Sequence, residues 1–240
     1  MNLDELELFR TLPAAALDRL SATMRTEVFA RDAIVFRQGD PAVRAYALGA
    51  GSIRIVQTGC DGGSAIVRFI TAGEMFGTVP LFTDRRLPAA AFVCEESVVL
   101  SWSDADLRRM IGLYPAIAMN VIAVLGARLG ELQERVRDLA TLRAGQRIAD
   151  AVLRLAAHAG ADTAGGRAIG IPLRRKDVAE FSGTTLHTAS RTLAAWEKAG
   201  LLASRAGRLM VRDRDELRRI AGHFCPVTGP ECRNNRGDRR

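Results

Sequence analysis

Short apolar runs recur about every ten residues between positions 26 and 102, each closed by residues that turn a chain. Residues 33–36 (Ala-Ile-Val-Phe) run into Gly39-Asp40, 46–48 into Gly49-Ala50-Gly51, 52–56 into the stretch from Gly59 to Gly63, and 65–70 into Ala72-Gly73. Residues 90–93 and 98–100 add two more. Strands this short, joined by glycine turns, predict a small barrel or jelly roll. The period then changes. Over 114–142, Ala118, Ile122, Leu125, Leu129, Leu132, Val136 and Leu139 follow one another at spacings of four and three, a heptad seam held for three repeats. Such a seam predicts a long helix packed along a second copy of itself; the plainer alternative is a helix that only caps the barrel within one chain. Arg128, Glu131, Glu134, Arg135 and Asp138 flank the seam and fit cross-pairing and solvation equally. Gly145 is predicted to break the run before a further helix at 146–157, which puts a hinge at 142–145.

Residues 174–199, RRKDVAEFSGTTLHTASRTLAAWEKA, read as two short helices joined by a tight turn at Ser182-Gly183-Thr184, where a residue lacking Cβ reaches positive φ at little cost. Val178, Ala179 and Phe181 are the apolar positions of the first helix. Leu186, Ala189, Leu193 and Trp196 are the predicted buried stripe of the second. Thr185, His187, Thr188, Ser190, Arg191 and Lys198 are left to face solvent or a ligand. That face suits a DNA groove: Arg donates bidentately to guanine O6/N7, His and Ser bond base edges, and Thr at a helix start bonds phosphate. An ordinary helical hairpin with a solvated side shows the same pattern. Residues 201–205 and 208–212 around Ala206-Gly207 read as a hairpin, so the order becomes that of a winged helix-turn-helix.

Charge supports the DNA reading. The 240 residues carry a net charge of +7, but residues 1–113 are net −2 while residues 144–222 are net +6. Positive charge gathered around one reading helix is what phosphate neutralisation requires. With 48% apolar and 25% charged residues, the chain has room for two modest globular domains, and an α+β fold of barrel, long helix and winged reader is expected. There is no run of 18 apolar residues and the start, MNLDELELFRTL, is acidic, so neither a membrane span nor a secretion signal is expected. Cys60, Cys94, Cys225 and Cys232 are too scattered for a disulfide scaffold and fit a reducing cytoplasm. The chain lacks a Gly-x-Ser-x-Gly elbow, a Walker loop and a His-Glu-x-x-His helix, which argues against an enzyme.

Barrel, long helix, hinge and winged reader in this order resemble the cyclic-AMP receptor protein and fumarate-nitrate regulator superfamily of bacterial transcription factors. The resemblance spans residues 6–222. It is carried by Phe36-Arg37-Gln38-Gly39-Asp40, Gly51-Ser52, Ala72-Gly73-Glu74-Met75-Phe76-Gly77, Leu81-Phe82, Gln146-Arg147-Ile148-Ala149, and Pro172-Leu173-Arg174-Arg175-Lys176-Asp177-Val178-Ala179 through Ser190-Arg191. It implies a cyclic-nucleotide-binding-like jelly roll over 1–113, a dimerisation helix and hinge over 114–143, a winged helix-turn-helix over 144–222, and a basic tail over 223–240. The implied partners are a second copy joined along Ile122, Leu125, Leu129, Leu132, Val136 and Leu139, inverted-repeat promoter DNA, and RNA polymerase. Arg175 and Lys176 match phosphate-gripping positions; Arg208 in the wing and Thr185 at the helix start are further candidates for the DNA backbone.

The departures from the family pattern inform as much as the matches. Cyclic-nucleotide binders follow Phe-Gly with a carboxylate for the ribose and, further on, an Arg-Ser or Arg-Thr pair for the phosphate; here Gly77 is followed by Thr78, and the pair falls near Ala89-Ala90. Arg85 and Arg86 lie just upstream on a predicted exposed loop. Leu132-Gln133 stand where cyclic-AMP binders carry a Thr-Ser pair that reads adenine. The resemblance therefore implies a degenerate pocket of Gly77, Thr78, Ala89, Ala90, Leu132 and Gln133 and argues against cyclic AMP as the signal. No cysteine precedes Cys60, which argues against the iron-sulfur cluster of the oxygen-sensing branch. Haem sensing occurs in other branches, and a haem in this barrel would need Cys60, Cys94, Met75 or a terminal group, because His158, His187 and His223 lie outside it. Cys94 reads as a small buried hydrophobe and Cys60 as an exposed thiol. A haem- or ligand-carrying sensor or redox protein with an incidental basic domain is the competing reading.

In the reading helix the fumarate-nitrate branch reads TTGAT through Glu-x-x-Ser-Arg. The same register here gives His187, Ser190 and Arg191, so guanine and thymine contacts are expected to persist while the base facing His187 changes. This form looks like the nitrogen-oxide-responsive regulators. Leu186 stands where the cyclic-AMP branch has a second base-reading Arg. In the tail, His223, Cys225 and Cys232 form a cluster without standard ligand spacing, read as incidental rather than as a metal site.

Overall fold

The computed structural model describes residues 2–222; the tail cluster of His223, Cys225 and Cys232 lies outside them. The elements in chain order are α1 (Ala14–Thr23), β1 (Arg25–Phe29), β2 (Ile34–Phe36), β3 (Arg44–Ala50), β4 (Ser52–Thr58), β5 (Ser64–Thr71), β6 (Met75–Phe76), β7 (Ala90–Val93), β8 (Ser97–Ser103), α2 (Asp104–Leu113) and α3 (Ala116–Thr141). They continue with α4 (Ala144–Ala159), β9 (Gly160–Thr163), β10 (Gly166–Ile169), α5 (Arg175–Ser182), α6 (Leu186–Lys198), β11 (Leu202–Arg205), β12 (Arg208–Val211) and α7 (Arg214–Ile220). The chain divides at Leu142 into two compact units, the first also taking Ile171–Leu173.

The first unit is the predicted β-rich body. Two antiparallel four-stranded sheets, β1-β8-β3-β6 and β2-β7-β4-β5, contribute to one core. Ala45, Ala47 and Leu48 enter it from one sheet, and Ile53, Ala91 and Val93 from the other. The turn expected at Gly49-Ala50-Gly51 is shorter than its composition suggests. Gly49 and Ala50 belong to β3, where the pairing with β8 shifts register between Leu48 and Ala50, and only Gly51 turns. The acidic start is not a loose arm: Leu6, Leu8 and Phe9 are fully buried, and Phe9 meets Trp102 edge-on at 5.1 Å. Trp102 Nε1 also donates to the Leu20 carbonyl of α1 at 2.8 Å.

Helix α3 carries two different faces. Ile117, Val121 and Val124 pack on the barrel core. Asn120 Nδ2 donates to the Leu8 and Arg10 carbonyls, and Arg128 bridges Glu7 and the Met75 carbonyl. Arg135 donates to the carbonyls of Ile66 and Val67 at 2.8 and 2.9 Å. These two carbonyls sit where β5 slips register against β4, with Val67 left out of the pairing, so the guanidinium satisfies backbone that the ladder cannot. Burial and the nearby Arg68 cation lower the Arg128 pKa, while Glu7, Glu74 and Glu131 oppose the shift.

The heptad face is the one left uncovered. Ile122, Leu125, Leu129, Leu132, Val136 and Leu139 are between 37% and 66% exposed, so capping the barrel does not explain the seam. With a mean hydropathy of 1.2 over 18 residues, α3 is long and apolar enough by composition to cross a membrane. Its apolar residues instead form stripes, and Arg128 and Arg135 are held by barrel backbone. Helix α4 begins at Ala144, so Gly145 lies inside it and does not break the run as predicted; the break is Leu142-Arg143, where the Arg143 amide donates to Gln146 Oε1 at 3.0 Å and caps the new helix.

The second unit is built on α4. Ile148, Val152 and Leu155 are buried with Val178, Leu193, Leu202, Val211 and Leu217 from the elements around it. Strands β11-β12-β10-β9 form one sheet in that order. The hairpin β9-β10 and the helices α1, α2 and α7 were not among the predicted elements.

Candidate nucleic-acid interface

Asp177 opens α5 by accepting the Arg174 amide at 2.7 Å, which answers one of the donors a helix start leaves unpaired. At the other end Gly183 takes φ 63° and ψ 40°, the left-handed conformation the turn requires, and both its amide and that of Thr184 donate to the Ala179 carbonyl. Thr185 then caps α6 through its hydroxyl, which accepts the Thr188 amide at 3.2 Å. This role was not foreseen. The hydroxyl assigned to DNA phosphate is already engaged in starting the helix, although the residue remains exposed.

Ala189 and Leu193 bury the inner face of α6, and Trp196 is half-buried. Leu186, predicted to share that stripe, is 52% exposed. Residues 185–187 are all exposed, so the first turn stands clear of the surface that covers Ala189. His187 and Arg191 are exposed and Ser190 is half-buried beside them, so the three base-reading candidates occupy one side of one helix. Arg174, Lys176, Lys198 and Arg205 are exposed on the same unit. Arg208 opens β12 opposite Arg205, on either side of the Ala206-Gly207 turn.

Arg175 has a partner within the fold. Its guanidinium donates to Glu197 Oε2 at 2.7 Å and to the Ser190 carbonyl at 3.4 Å, and Ser204 Oγ donates to the other Glu197 oxygen at 2.5 Å. The three residues clasp α5, α6 and the wing strand β11 together, so Arg175, expected at a phosphate, also braces α6. Burial raises the Glu197 pKa, but the hydrogen bonds from Ser204 and Arg175 outweigh it and hold the carboxyl below its usual 4.5. A depressed folded value means that the stabilisation is complete above the unfolded value and is lost as pH falls through the folded one. The expected result is a larger fall in melting temperature between pH 7 and pH 4 for the wild type than for Glu197→Gln. Parallel falls would remove the clasp from the stability account.

The first unit holds the residues expected to form a degenerate pocket. Gly77 has φ 65°, and a Cβ there would lie 2.9 Å from Tyr46 Cδ2 and 3.2 Å from Phe36 Cε1. Phe36, Tyr46 and Phe76 pack with ring centroids 5.3 to 5.9 Å apart, and burial raises the Tyr46 hydroxyl pKa. Thr78 and Ala89 are buried and Ala90 is half-buried, so the positions where the family pattern has a carboxylate and a phosphate-binding pair hold a hydroxyl and methyl groups. Arg85 pairs with Asp104, and Arg86 donates to the Gly39 carbonyl; both are exposed, as the loop reading expected. Leu132 and Gln133 lie exposed on α3, whereas Arg128 and Arg135 of the same helix bond to barrel backbone. This face of α3 was not expected from the sequence; the signal that could have found it is the spacing of Asn120, Arg128 and Arg135, eight and seven apart beside the seam.

The haem-ligand candidates do not gather. Cys60 is exposed in the hairpin turn after β4, whereas buried Cys94 donates its amide to Ser52 at the start of β4. The seven-residue strand separates them by roughly 20 Å. Met75 is fully buried in the core. Among the described residues no group of three His, Cys, Asp or Glu side chains is arranged to hold a metal ion.

Comparison with known proteins places these features. Residues 26–114 match the cyclic nucleotide-binding domain family, and residues 146–220 match the Crp-like helix-turn-helix domain family. The nitrogen fixation regulation protein FixK of Azorhizobium caulinodans is 30% identical over 195 residues, covering 80% of this chain and 77% of that protein. The CRP-like cAMP-activated global transcriptional regulator of Mycobacterium tuberculosis is 24% identical over 214 residues, 89% of this chain and 96% of its own length. The solved structure of FixK2 from Bradyrhizobium japonicum superposes with a TM-score of 0.72 at 23% identity, covering 82% of this chain and 96% of that one.

Proposed function

Because this chain belongs to the family of transcription regulators typified by the cyclic-AMP receptor protein and the fumarate-nitrate regulator, we propose that it is a homodimer that reads an inverted-repeat promoter site through α6 and answers a signal other than cyclic AMP. The observation that carries the DNA half is the side of α6 that exposes His187 and Arg191 with Ser190 between them, in the more basic of the two units. Arg191 donates to guanine O6/N7, Ser190 bonds a thymine edge, and His187 faces a base that a carboxylate would not choose. Leu186 joins this face as an apolar group suited to a thymine methyl. Lys176, 67% exposed with a 3.6 Å contact to Glu180, grips phosphate, and Arg208 in the wing does the same.

Dimerisation is supported by the uncovered heptad seam, and two reading helices from a symmetric pair address half-sites about one DNA turn apart. The residues around Gly77 do not fit a cyclic nucleotide: Thr78 cannot supply the carboxylate and the Ala89 side chain offers no donor to a phosphate. Nitric oxide, redox or another small signal is the proposed class, with haem as one carrier of it. RNA polymerase is the remaining proposed partner, and the cytoplasm the proposed compartment. Selection of bound duplexes from a random pool tests the reading directly. The expected result is an inverted repeat whose half-site contains a guanine and a thymine, recovered without added cyclic AMP. Recovery of unrelated sequences, or an absolute need for cyclic AMP, would overturn it.

A further inference from the structure

Arg147 lies in the first turn of α4, outside the reading face, and its guanidinium is bonded to three backbone carbonyls. Nη1 donates to Leu142 at 2.9 Å, Nε to Ser182 at 3.1 Å and Nη2 to Gly183 at 3.0 Å. Leu142 is the residue that follows α3 in the chain, whereas Ser182 ends α5 and Gly183 is its left-handed cap. Carbonyls at a helix C-terminus lack intrahelical partners and carry the negative end of the helix dipole, so a cation there answers both needs.

The turn so held is the one that sets α6 against α5. Thr184 returns its amide to Ala179, and the hydroxyls of Ser182 and Thr184 bond each other at 2.9 Å. The Leu142 contact keeps the guanidinium from following the turn if the turn relaxes. We infer that Arg147 is a positioning residue for sequence recognition: it fixes the helix-turn-helix angle so that Ser190 and Arg191 meet base edges in register. The inference rests on the DNA-reading function proposed above. Base-edge hydrogen bonds need their donors placed within about half an ångström, whereas phosphate contacts tolerate a tilted helix. Loss of Arg147 therefore removes preference before it removes affinity. A lysine donates from one point and cannot replace a planar fork that spans two adjacent carbonyls and a third behind it.

The test uses the full chain with Arg147→Ala and Arg147→Lys, each measured on the selected inverted repeat and on a scrambled duplex across a salt series. The expected result is a fall of about 10- to 100-fold in the ratio of the two affinities, with scrambled binding and the salt slope unchanged and the lysine variant intermediate. If Arg147→Ala does not fold, Arg147→Lys decides, because it keeps the charge and the stem. An unchanged ratio, or equal losses on both duplexes in a folded variant, overturns the inference. A wild-type chain that prefers no duplex overturns the DNA-reading function itself, which separates the two failures.

Discussion

Arg191→Ala is expected to lower affinity for the selected operator by about 1 to 3 kcal/mol at each half-site, roughly 5- to 140-fold per reading helix, while leaving a scrambled duplex almost unaffected. The reasoning begins with exposure: Arg191 stands one residue beyond Ser190 on α6, exposed and opposite the buried Ala189 and Leu193, so its fork is available for a bidentate guanine contact. Discrimination lost at one base pair appears as a relaxed preference at that position alone. Lys176→Ala supplies the contrast. Its ammonium is a point charge near the start of α5, so its removal is expected to weaken all duplexes alike and to reduce the magnitude of the salt slope by about 1 per protomer. Fluorescence anisotropy on operator and scrambled duplexes from 50 to about 300 mM salt separates the two behaviours. Equal losses on both duplexes for Arg191→Ala would remove it from the reading set.

The barrel, the long helix and the winged reader were legible because each rests on a short-range signal. Glycine turns punctuate strands, a heptad marks α3, and Gly183 sits where the turn needs positive φ. What escaped depends on contacts between distant residues. Leu186 keeps helical spacing with Ala189, yet burial depends on what lies above it, and nothing covers the first turn of α6. Gly145 reads as a breaker by composition, but Gln146 caps a helix that already includes it. Arg128 and Arg135 looked neutral beside the seam because their partners, the Met75, Ile66 and Val67 carbonyls, are backbone atoms more than fifty residues away. Arg175 matches a phosphate-gripping position by its place in the motif, and its additional partner Glu197 lies 22 residues on.

Leu129→Glu is expected to dissociate the dimer and, through that single change, to lower affinity for the inverted repeat by about 10²- to 10⁴-fold without touching the reading face. Leu129 is 58% exposed in the protomer and takes no part in the barrel core, so the variant has no reason to unfold. Along a two-fold seam a residue near the axis meets its own copy, so one substitution removes two leucines and sets two carboxylates against each other in an apolar contact. The lost burial alone amounts to about 3 to 6 kcal/mol over the pair. The effect on DNA follows from linkage of the two readers: once one half-site is bound, the second binding event is intramolecular, and a monomer forfeits that advantage of about 10²- to 10⁴-fold. Affinity for an isolated half-site should stay unchanged, because α6 and its clasp lie in the other unit. Light scattering reads the mass, and titration of half-site and full-site duplexes reads the affinity. A Leu129→Glu chain that keeps the dimer mass, or a monomer that binds the full site as tightly as the wild type, would move the assembly away from the α3 seam.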